Sequence, residues 1–313
     1  MNRPGPAALE VRRAVQDWAA RYGAPSTVAV ALSGGADSLA LLAGTVAAGL
    51  DPVALVVDHG LQEASAAVAD RAVEQAREIG ARRAERLTVE VGERGGGPEA
   101  AARTARYAAL DAHREGLPVL LGHTLDDQAE TVLLGLGRGS GARSLAGMAP
   151  WAAPYGRPLL GVRRDTTAAA CTELGLTPWD DPHNTDPRYT RVRLRRDVLP
   201  LLEDVLGGGV AQALARTAAS LRADNDALDA LAPAPSGPEL PVADIEALPP
   251  ALRRRALRAW LADRGARALT AAHLAAVDAL VSEWHGQGPT AVPGGSAGRR
   301  LQVSRAGGIL RAW

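Results

Sequence analysis

The residues best suited to chemistry form a glycine-rich loop, Ser33-Gly34-Gly35-Ala36-Asp37-Ser38, between two apolar runs. The run at 28–32 contains β-branched residues and predicts a strand, whereas the run at 39–42 predicts a helix. Adjacent glycines let the backbone turn sharply and approach a ligand without interference from Cβ atoms. The amides at the start of the helix then favour an anion of the phosphate type. A plain strand-to-helix turn is the alternative interpretation.

This loop differs from two common nucleotide-binding motifs. It lacks the GxxxxGKS/T spacing, and all 35 basic residues of the chain are arginine, so no lysine can supply that motif's charge. It is not GxGxxG either. The loop resembles the SGGxDS loop of ATP-pyrophosphatases, which implies that its members hold the phosphates of ATP. These members are Ser33, Gly34, Gly35, Ala36, Asp37 and Ser38.

A second acidic segment follows another short strand and opens a helix at residues 123–131. Asp127 and Glu130 are three residues apart and therefore share a helix face. Together with Asp37 they would form an oxygen-rich site for Mg²⁺, which prefers carboxylates, waters and substrate phosphates. The alternative is an acidic helix N-terminus, stabilised by the helix dipole, with a solvated glutamate.

Two further segments supply candidates for a nucleotide site. His59 ends the second predicted strand, and beside a nucleotide loop it is interpreted as a ribose, adenine or substrate contact, with a structural role as the alternative. Glu99, Arg103 and Arg106 lie on one predicted helix at spacings that allow intrahelical pairing. The other interpretation is that Arg103, an expected ATP ligand, or Arg106 faces the triphosphate or an RNA backbone.

A dense basic cluster lies at residues 188–196. Its members are Arg188, Arg191, Arg193, Arg195 and Arg196, with Tyr189 between them. Guanidinium groups suit phosphate contacts and stack on splayed bases, so the cluster predicts RNA binding. Pairing with the aspartates at 180, 181, 186 and 197 is the alternative. Other candidates for RNA contact are Arg253, Arg254, Arg255 and Arg258.

Alternating strands and helices position these residues. Strands are predicted at Thr27–Leu32, Val53–Val57, Ala84–Val91 and Val119–Leu121. Helices follow at Asp37–Ala48, Glu63–Ile79, Pro98–Glu115 and Leu125–Leu136. Short apolar strands separated by helices indicate a parallel, doubly wound α/β sheet. Ligands of such sheets lie at the carboxyl ends of the strands, where the candidate residues also lie.

After these elements the sequence becomes rich in loop-forming residues and then in helical patterns, which predicts a second domain. The boundary is placed at the glycines 207–209, giving a catalytic domain 1–206 and a smaller, mainly helical domain 207–313 that binds RNA. Helices are predicted at about 210–230, 249–263 and 270–284, and a hairpin is predicted at the C-terminus around the glycines 307–308.

Composition limits the classes of function. The formal net charge is zero, so any nucleic-acid site must be a local patch. A single cysteine excludes a disulfide framework and suits a reducing compartment. No apolar run approaches the length of a membrane helix, and the N-terminus has no signal-peptide pattern. We therefore expect a cytoplasmic protein with no membrane partner.

Taken together, the motifs resemble those of the tRNA(Ile)-lysidine synthetases. SGGADS, VDHGL, ExxARxxRY, GHTLDDQAET, RGSGARSLAGM, RPLL and DPHNTDxxYxRxRxR occur in that family's order between residues 26 and 202. The resemblance implies an adenine-nucleotide alpha-hydrolase (PP-loop) fold and the use of ATP and Mg²⁺. It also implies adenylation of the wobble cytidine of a CAU-anticodon isoleucine tRNA, followed by attack of free lysine. A second copy of the chain is a further partner left open.

The resemblance also assigns roles to residues. Asp37 and Asp127 would hold Mg²⁺ and act with Glu130 in catalysis, and Glu130 and His123 would bind lysine. The ATP ligands would be residues 33–38 with His59 and Arg103, and the tRNA ligands would be Arg188, Arg191, Arg193 and Arg195. Val192 and Gln62 depart from residues common in the family, at positions that concern how the tRNA is held.

Two other classes of protein stay open. One is another PP-loop enzyme that modifies RNA by thiolation or amidates a small molecule. Thiolation would need a catalytic cysteine or several cluster ligands, which one cysteine does not supply. The other is a nucleotide-binding regulator without catalysis, which would be expected to lose Asp37, Asp127 or Glu130 while keeping the glycines.

Overall fold

A computed structural model describes residues 4–58, 60, 65–89, 98–139, 141–181, 185–295 and 300–313. The chain divides into two compact units. The first contains the residues up to Leu134 and Gly147–Arg216, and the second contains Gly135–Ala146 and Thr217–Trp313. The division at Arg216 falls inside a long helix, ten residues after the boundary expected from the glycines, and it assigns the segment Gly135–Ala146 to the second unit.

The described residues form the following elements. The helices are α1 (Pro6–Tyr22), α2 (Ala36–Ala47), α3 (Ser65–Ile79), α4 (Pro98–His113), α5 (Leu125–Gly137), α6 (Ala142–Leu145), α7 (Arg164–Glu173), α8 (Thr190–Arg193), α9 (Leu199–Val205), α10 (Val210–Leu231), α11 (Pro250–Asp263) and α12 (Ala271–Ser282). The strands are β1 (Thr27–Leu32), β2 (Asp51–Asp58), β3 (Arg83–Thr88), β4 (Val119–Leu120), β5 (Trp151–Ala152), β6 (Tyr155–Gly156), β7 (Glu239–Pro241), β8 (Thr290–Val292), β9 (Leu301–Ala306) and β10 (Ile309–Ala312). A π-helical turn at Leu194–Val198 joins α8 to α9.

The sheet of the first unit has the strand order β3-β2-β1-β4-β6-β5. All neighbouring strands are parallel except β5 and β6, which form an antiparallel pair. The chain runs outward from β1 through β2 to β3 and then returns to place β4 on the other side of β1. This reversal is the switch point at which α/β sheets bind ligands. The expected parallel, doubly wound fold is confirmed.

Both faces of this sheet are buried, because successive side chains of a strand point to opposite faces. Val28, Val30 and Leu32 of β1 belong to a core shared with α1, α2 and α3. Ala29 lies in a second core with residues of β2, β4 and α4. The apolar strands β1 and β2 are therefore covered on both faces, whereas the edge strand β3 keeps exposed residues.

The second unit combines helices with a four-stranded antiparallel sheet of order β7-β10-β9-β8. Its core includes Leu257 and Trp260 of α11, Val277 and Leu280 of α12, and Val303 of β9. The C-terminal hairpin expected from the sequence is confirmed as β9 and β10. The strands β7 and β8 were not predicted from the sequence, since each has only three residues and depends on pairing with distant strands.

No single described helix is long and apolar enough to cross a bilayer. One pair of helices, Thr190–Val205 and Val210–Leu231, reaches the required length and apolar composition only when the two are counted together, and they are bent by 95° relative to each other.

Gly156 offers a test of how α1 is packed on the sheet. A Cβ atom at this position would overlap the ring of Trp18, whose Nε1 is held by the Pro150 carbonyl at 2.9 Å. We expect Gly156→Ala to lower the free energy of unfolding by about 1–3 kcal/mol, because overpacking forces side chains or backbone to move. Gly161→Ala is the control, since that position is exposed and has no atom within 4 Å of the added Cβ. Urea unfolding of both variants measures the difference, and equal stability would contradict this packing.

Candidate active site

The carboxyl ends of β1 and β4 open into one cavity of about 780 Å³. It lies at the switch point of the sheet, where ligands of this fold class bind. The cavity wall includes Ser33, Gly35, Ala36, Asp37, Ser38, Asp58, Arg106, His123, Asp127, Arg164, Trp179 and Arg195. The fold therefore brings together the glycine-rich loop and the acidic segment, which are far apart in the sequence.

Internal hydrogen bonds shape the glycine-rich loop. The amide of Ser33 donates to Ser38 Oγ at 3.1 Å, and the Ser38 hydroxyl donates to the Gly35 carbonyl at 3.0 Å. Gly34 has a φ of +82°, in the left-handed region that favours glycine. The helix α2 begins after Gly35 without a side-chain cap. Amides in the first turn of an uncapped helix can donate to an anionic ligand, and the sequence-based prediction of a phosphate at this loop stays a prediction.

One guanidinium group joins the three carboxylates of the site. Arg164, at the start of α7, places Nη2 2.6 Å from Asp127 Oδ1 and Nε 3.4 Å from Asp37 Oδ2. Its Nη1 lies 3.5 Å from Glu130 Oε1. A planar guanidinium can serve several acceptors at once, which the point charge of a lysine cannot do with the same geometry.

The two aspartates respond differently to this environment. Burial raises the pKa of Asp37, and the Thr167 hydrogen bond and the Arg164 charge offset only part of that effect. Burial also opposes ionisation of Asp127, but the charge of Arg164 and hydrogen bonds from Thr124 outweigh it and lower its pKa. Burial alone would lower the pKa of Arg164, yet the surrounding carboxylates raise it, so Arg164 stays charged.

Glu130 is fully buried and surrounded by arginines. Arg195 Nε donates to Glu130 Oε1 at 2.9 Å, and Arg191 Nη1 lies 3.7 Å from Oε2. Glu130 Oε2 accepts no hydrogen bond from the described residues. A buried acceptor without a donor is costly, so this oxygen is available to a cationic ligand. The sequence predicted that Arg191 and Arg195 contact tRNA, whereas the structure directs both to Glu130.

His123 is a neutral imidazole on the cavity wall. Burial lowers its pKa to about 4, an effect that Asp127 opposes and the charges of Arg157 and Arg106 increase. Its Nδ1 atom is buried and has no hydrogen-bond partner among the described residues. The ring of this cavity-lining residue therefore has one nitrogen that is not used in hydrogen bonding by the described residues.

The residues present fit Mg²⁺ only as an ion that arrives with a nucleotide. Asp37 and Asp127 each direct an oxygen to the Arg164 guanidinium, so both face a common cationic position. Across the described residues, no three His, Cys, Asp or Glu side chains are arranged to hold a metal ion. Mg²⁺ commonly binds one or two carboxylates together with waters and substrate phosphates, and two aspartates meet that requirement.

Of the two arginines predicted on α4, Arg106 and not Arg103 lies on the cavity wall. Arg103 is exposed; its Nη2 donates to the Tyr107 hydroxyl at 3.3 Å, and its guanidinium lies 5.0 Å from the centre of the Tyr107 ring. Burial lowers the pKa of Arg106. The prediction for His59 falls outside the described residues.

Two exposed arginines of the basic segment, Arg188 and Arg193, pair with nearby aspartates. Arg188 Nη2 lies 2.7 Å from Asp186 Oδ2, and Arg193 Nε lies 3.7 Å from Asp197 Oδ2. Both side chains are largely exposed, so these pairs are weak and solvent-screened. The four arginines predicted to bind tRNA thus separate into two exposed residues and two that contact Glu130.

Sequence reasoning missed Arg164, although a signal for it exists. Arg163 and Arg164 stand at the N-terminus of α7, where positive charge opposes the helix dipole. Such residues need carboxylate partners, and Asp126 is one of them. Its Oδ1 lies 2.9 Å from Arg163 Nη2, and its Oδ2 accepts from the Arg164 amide at 2.8 Å. Asp126 therefore stabilises the start of α7.

Comparison with family models matches both parts of the chain. A model described as a PP-loop domain matches residues 8–202, and a model described as a TilS substrate binding domain matches residues 240–313. The first match covers more than half of the chain and includes Asp37, Asp127 and Glu130.

Several curated relatives resemble nearly the whole chain, and the following three are all named tRNA(Ile)-lysidine synthase. The relative from Nocardia farcinica is 60% identical over 307 residues, covering 96% of both chains. That from Rhodococcus erythropolis is 58% identical, covering 97% of this chain and 95% of the relative. That from Mycobacterium tuberculosis H37Rv is 59% identical over 291 residues, covering 90% and 89%.

Among solved structures, the U34-tRNA thiolase NcsA from Methanococcus maripaludis has a TM-score of 0.54 and 21% identity to this chain. The likeness covers 69% of this chain and 79% of the thiolase. At this identity the comparison shows a shared fold alone.

The lowered pKa of His123 predicts a pH dependence of stability. An unfolded histidine titrates near 6.5, so between pH 6.5 and about 4 the unfolded chain binds a proton that the folded chain does not. The free energy of unfolding should therefore fall as the pH is lowered through this window. Urea midpoints measured from pH 7.5 to 4.5 should fall less steeply for His123→Asn than for the wild type. Replacing the exposed His285 is the control, and parallel profiles for all three proteins would contradict the assignment.

Proposed function

The chain belongs to the tRNA(Ile)-lysidine synthase family, and we propose that it converts the wobble cytidine of a CAU-anticodon isoleucine tRNA to lysidine. Membership makes it an ATP-using PP-loop ligase that forms a C–N bond on tRNA. The observation that best supports the finer assignment is the meeting of the glycine-rich loop with Asp37 and Asp127 in one cavity. Anion-binding amides and carboxylates suit ATP and its counter-ion together.

The reaction has two steps whose atoms balance. The cytidine O2 attacks the α-phosphorus of ATP, and pyrophosphate leaves. The ε-amine of lysine then attacks C2 and loses a proton, while the C2–O2 bond breaks and AMP leaves with that oxygen. Each step forms one bond between heavy atoms and breaks one, the second step also releases the amine proton, and no redox partner is needed.

The glycine-rich loop and the two aspartates serve the first step. Amides of residues 33–38 hold phosphate oxygens, and the partly buried Arg106 adds positive charge on the cavity wall. Asp37 and Asp127 would hold Mg²⁺, which when bound neutralises charge on the phosphate oxygens. The lowered pKa of Asp127 keeps its carboxylate ionised for this role.

Glu130 and His123 serve the second step. An ammonium group donates three hydrogen bonds, and Glu130 Oε2 is a buried acceptor with no donor among the described residues. Arg195 and Arg191 must share Glu130 with the incoming amine, because both already lie against its oxygens. His123, neutral at physiological pH, adds an uncharged donor or acceptor for the same substrate.

A thiolase of the same fold is the competing function, and the single cysteine opposes it. Cys171 is 1% exposed, and its thiol donates to the Ala36 carbonyl at 3.4 Å. Burial raises the pKa of Cys171 to about 11, so its thiolate is scarce at neutral pH. A catalytic cysteine needs an accessible thiolate, which this residue does not provide.

The products of ATP cleavage test the proposed reaction. Incubation with CAU-anticodon isoleucine tRNA, lysine and α-labelled ATP should give AMP and pyrophosphate, while omission of lysine should leave adenylated tRNA. Asp127→Asn should reduce turnover by at least about a hundredfold, since charge neutralisation at phosphates contributes several kcal/mol. Asp126→Asn, which changes a neighbouring carboxylate that contacts α7, is the control. ADP as the product would overturn the assignment.

Glu130 should determine the use of lysine and not the use of ATP. We expect Glu130→Gln to raise the KM for lysine by about tenfold or more, because a neutral amide interacts more weakly with an ammonium than a carboxylate does. Adenylation of the tRNA, measured without lysine, should proceed at a rate within about threefold of the wild type. Equal loss of both steps would instead show that Glu130 mainly holds Arg195 and Arg164 in place.

A further inference from the structure

A second group of arginines lies in the second unit, on side chains of α6, α10 and α11. We call it the Asp229 arginine cluster, and it consists of Arg143, Arg255 and Arg258 with Asp229 and Asn225. Arg143 Nη2 and Arg255 Nε both approach Asp229 Oδ1, at 2.5 and 2.7 Å. Arg255 Nη2 also donates to Asn225 Oδ1 at 2.7 Å.

The cluster has more positive than negative charge. The guanidinium groups of Arg143 and Arg255 contact the single carboxylate of Asp229, and Arg258 interacts with the same carboxylate only through its charge. Arg258 donates to the Leu269 carbonyl at 3.4 Å, and no carboxylate lies within 4 Å of it in the described part of the chain. Burial lowers the pKa of Arg258, and the charges of Arg143 and Arg255 lower it further against the opposing effect of Asp229. An additional anion would relieve this repulsion.

Asn225 provides an independent indication of a ligand. Its side chain is buried, with 6% of its surface exposed, and its Nδ2 atom has no hydrogen-bond partner among the described residues. Buried amide donors are normally paired, so Asn225 Nδ2 is a donor that a ligand oxygen can satisfy. Phosphate oxygens accept hydrogen bonds from amide N–H groups and from guanidinium groups alike.

The neighbouring arginines of α11 have a different role. Arg253 Nε and Arg254 Nε lie 2.5 and 2.9 Å from the oxygens of Asp278, which is 4% exposed at its side chain. Arg253 is itself buried. The arginines that the sequence grouped together therefore divide by helix face into a structural pair and the Asp229 arginine cluster.

We propose that the Asp229 arginine cluster binds a backbone phosphate of the tRNA substrate. That the RNA is isoleucine tRNA rests on the proposed function, whereas the inference that a phosphate binds here rests on the residues of the cluster. The helix α11 belongs to the region matched by the substrate-binding model, residues 240–313. A phosphodiester supplies the second negative charge and the acceptor that Arg258 and Asn225 lack.

Binding of tRNA by the full-length protein tests the proposal. The double variant Arg143→Gln/Arg258→Gln should bind isoleucine tRNA about tenfold more weakly at moderate salt. The slope of log Kd against log salt should fall by about one for each phosphate that the variant no longer neutralises. Arg254→Gln is the matched control, since it removes the same charge from the other face of α11, and its Kd should stay within about twofold of the wild type. Asp229→Asn should instead bind tRNA several-fold more tightly, because it removes the competing carboxylate.

The outcomes separate this proposal from the proposed function. Unchanged tRNA affinity in the double variant, or an equal loss of tRNA affinity in Arg254→Gln, would contradict phosphate binding by the cluster. This holds even if AMP and pyrophosphate form normally. Loss of affinity together with a lowered unfolding temperature would also overturn it if Asp229→Asn does not bind more tightly. Weakened binding in the double variant with normal AMP formation at saturating tRNA would support it. The binding assay needs no turnover, so it can be interpreted even if the wild-type protein releases ADP.

Discussion

One buried and two partly buried carboxylates at one end of a parallel sheet are stable together because arginines neutralise them. Asp37, Asp127 and Glu130 come from α2 and α5, and Arg164 of α7 contacts all three. Without this cation, burial would raise the pKa of Asp127 as it already raises that of Asp37, and both aspartates would favour the uncharged form. The same contacts tie three helices to the switch point of the sheet. Any cation that enters the site, whether a metal ion or an ammonium group, must therefore compete with a guanidinium group.

A chain without lysine uses arginine for tasks that differ only in environment. Arg253 is buried and paired with Asp278, Arg188 is exposed and paired within its own loop, and Arg195 reaches a buried glutamate. The planar guanidinium can bridge several oxygens, which suits carboxylate clusters and phosphates equally well. A net charge of zero for the whole chain is consequently compatible with local excesses of positive charge, such as the arginines around Asp229.

Most of the first unit could be predicted from the sequence because its signals are local. The strand Thr27–Leu32 was predicted with the bounds found in the structure, and the other predicted strands and helices differ by a few residues at their ends, whereas the two-residue strands β5 and β6 were not predicted. Apolar runs, glycines and helix-start residues lie next to one another along the chain, so the local sequence predicts where each of these elements begins and ends. The strands β7 and β8 carry no such signal, because three residues form a strand only when a distant partner supplies the hydrogen bonds.

By itself, the sequence determined the fold class, the glycine-rich loop and the carboxylates of the site, since these depend on residue type and short spacing. Tertiary structure alone decided the partners of each arginine. Arg191 and Arg195 turn toward Glu130, Arg106 replaces Arg103 at the cavity, and Arg164 joins the three carboxylates. A long, flexible side chain can reach acceptors in many directions, so its contacts follow from which helices pack nearby and how deeply the acceptors are buried.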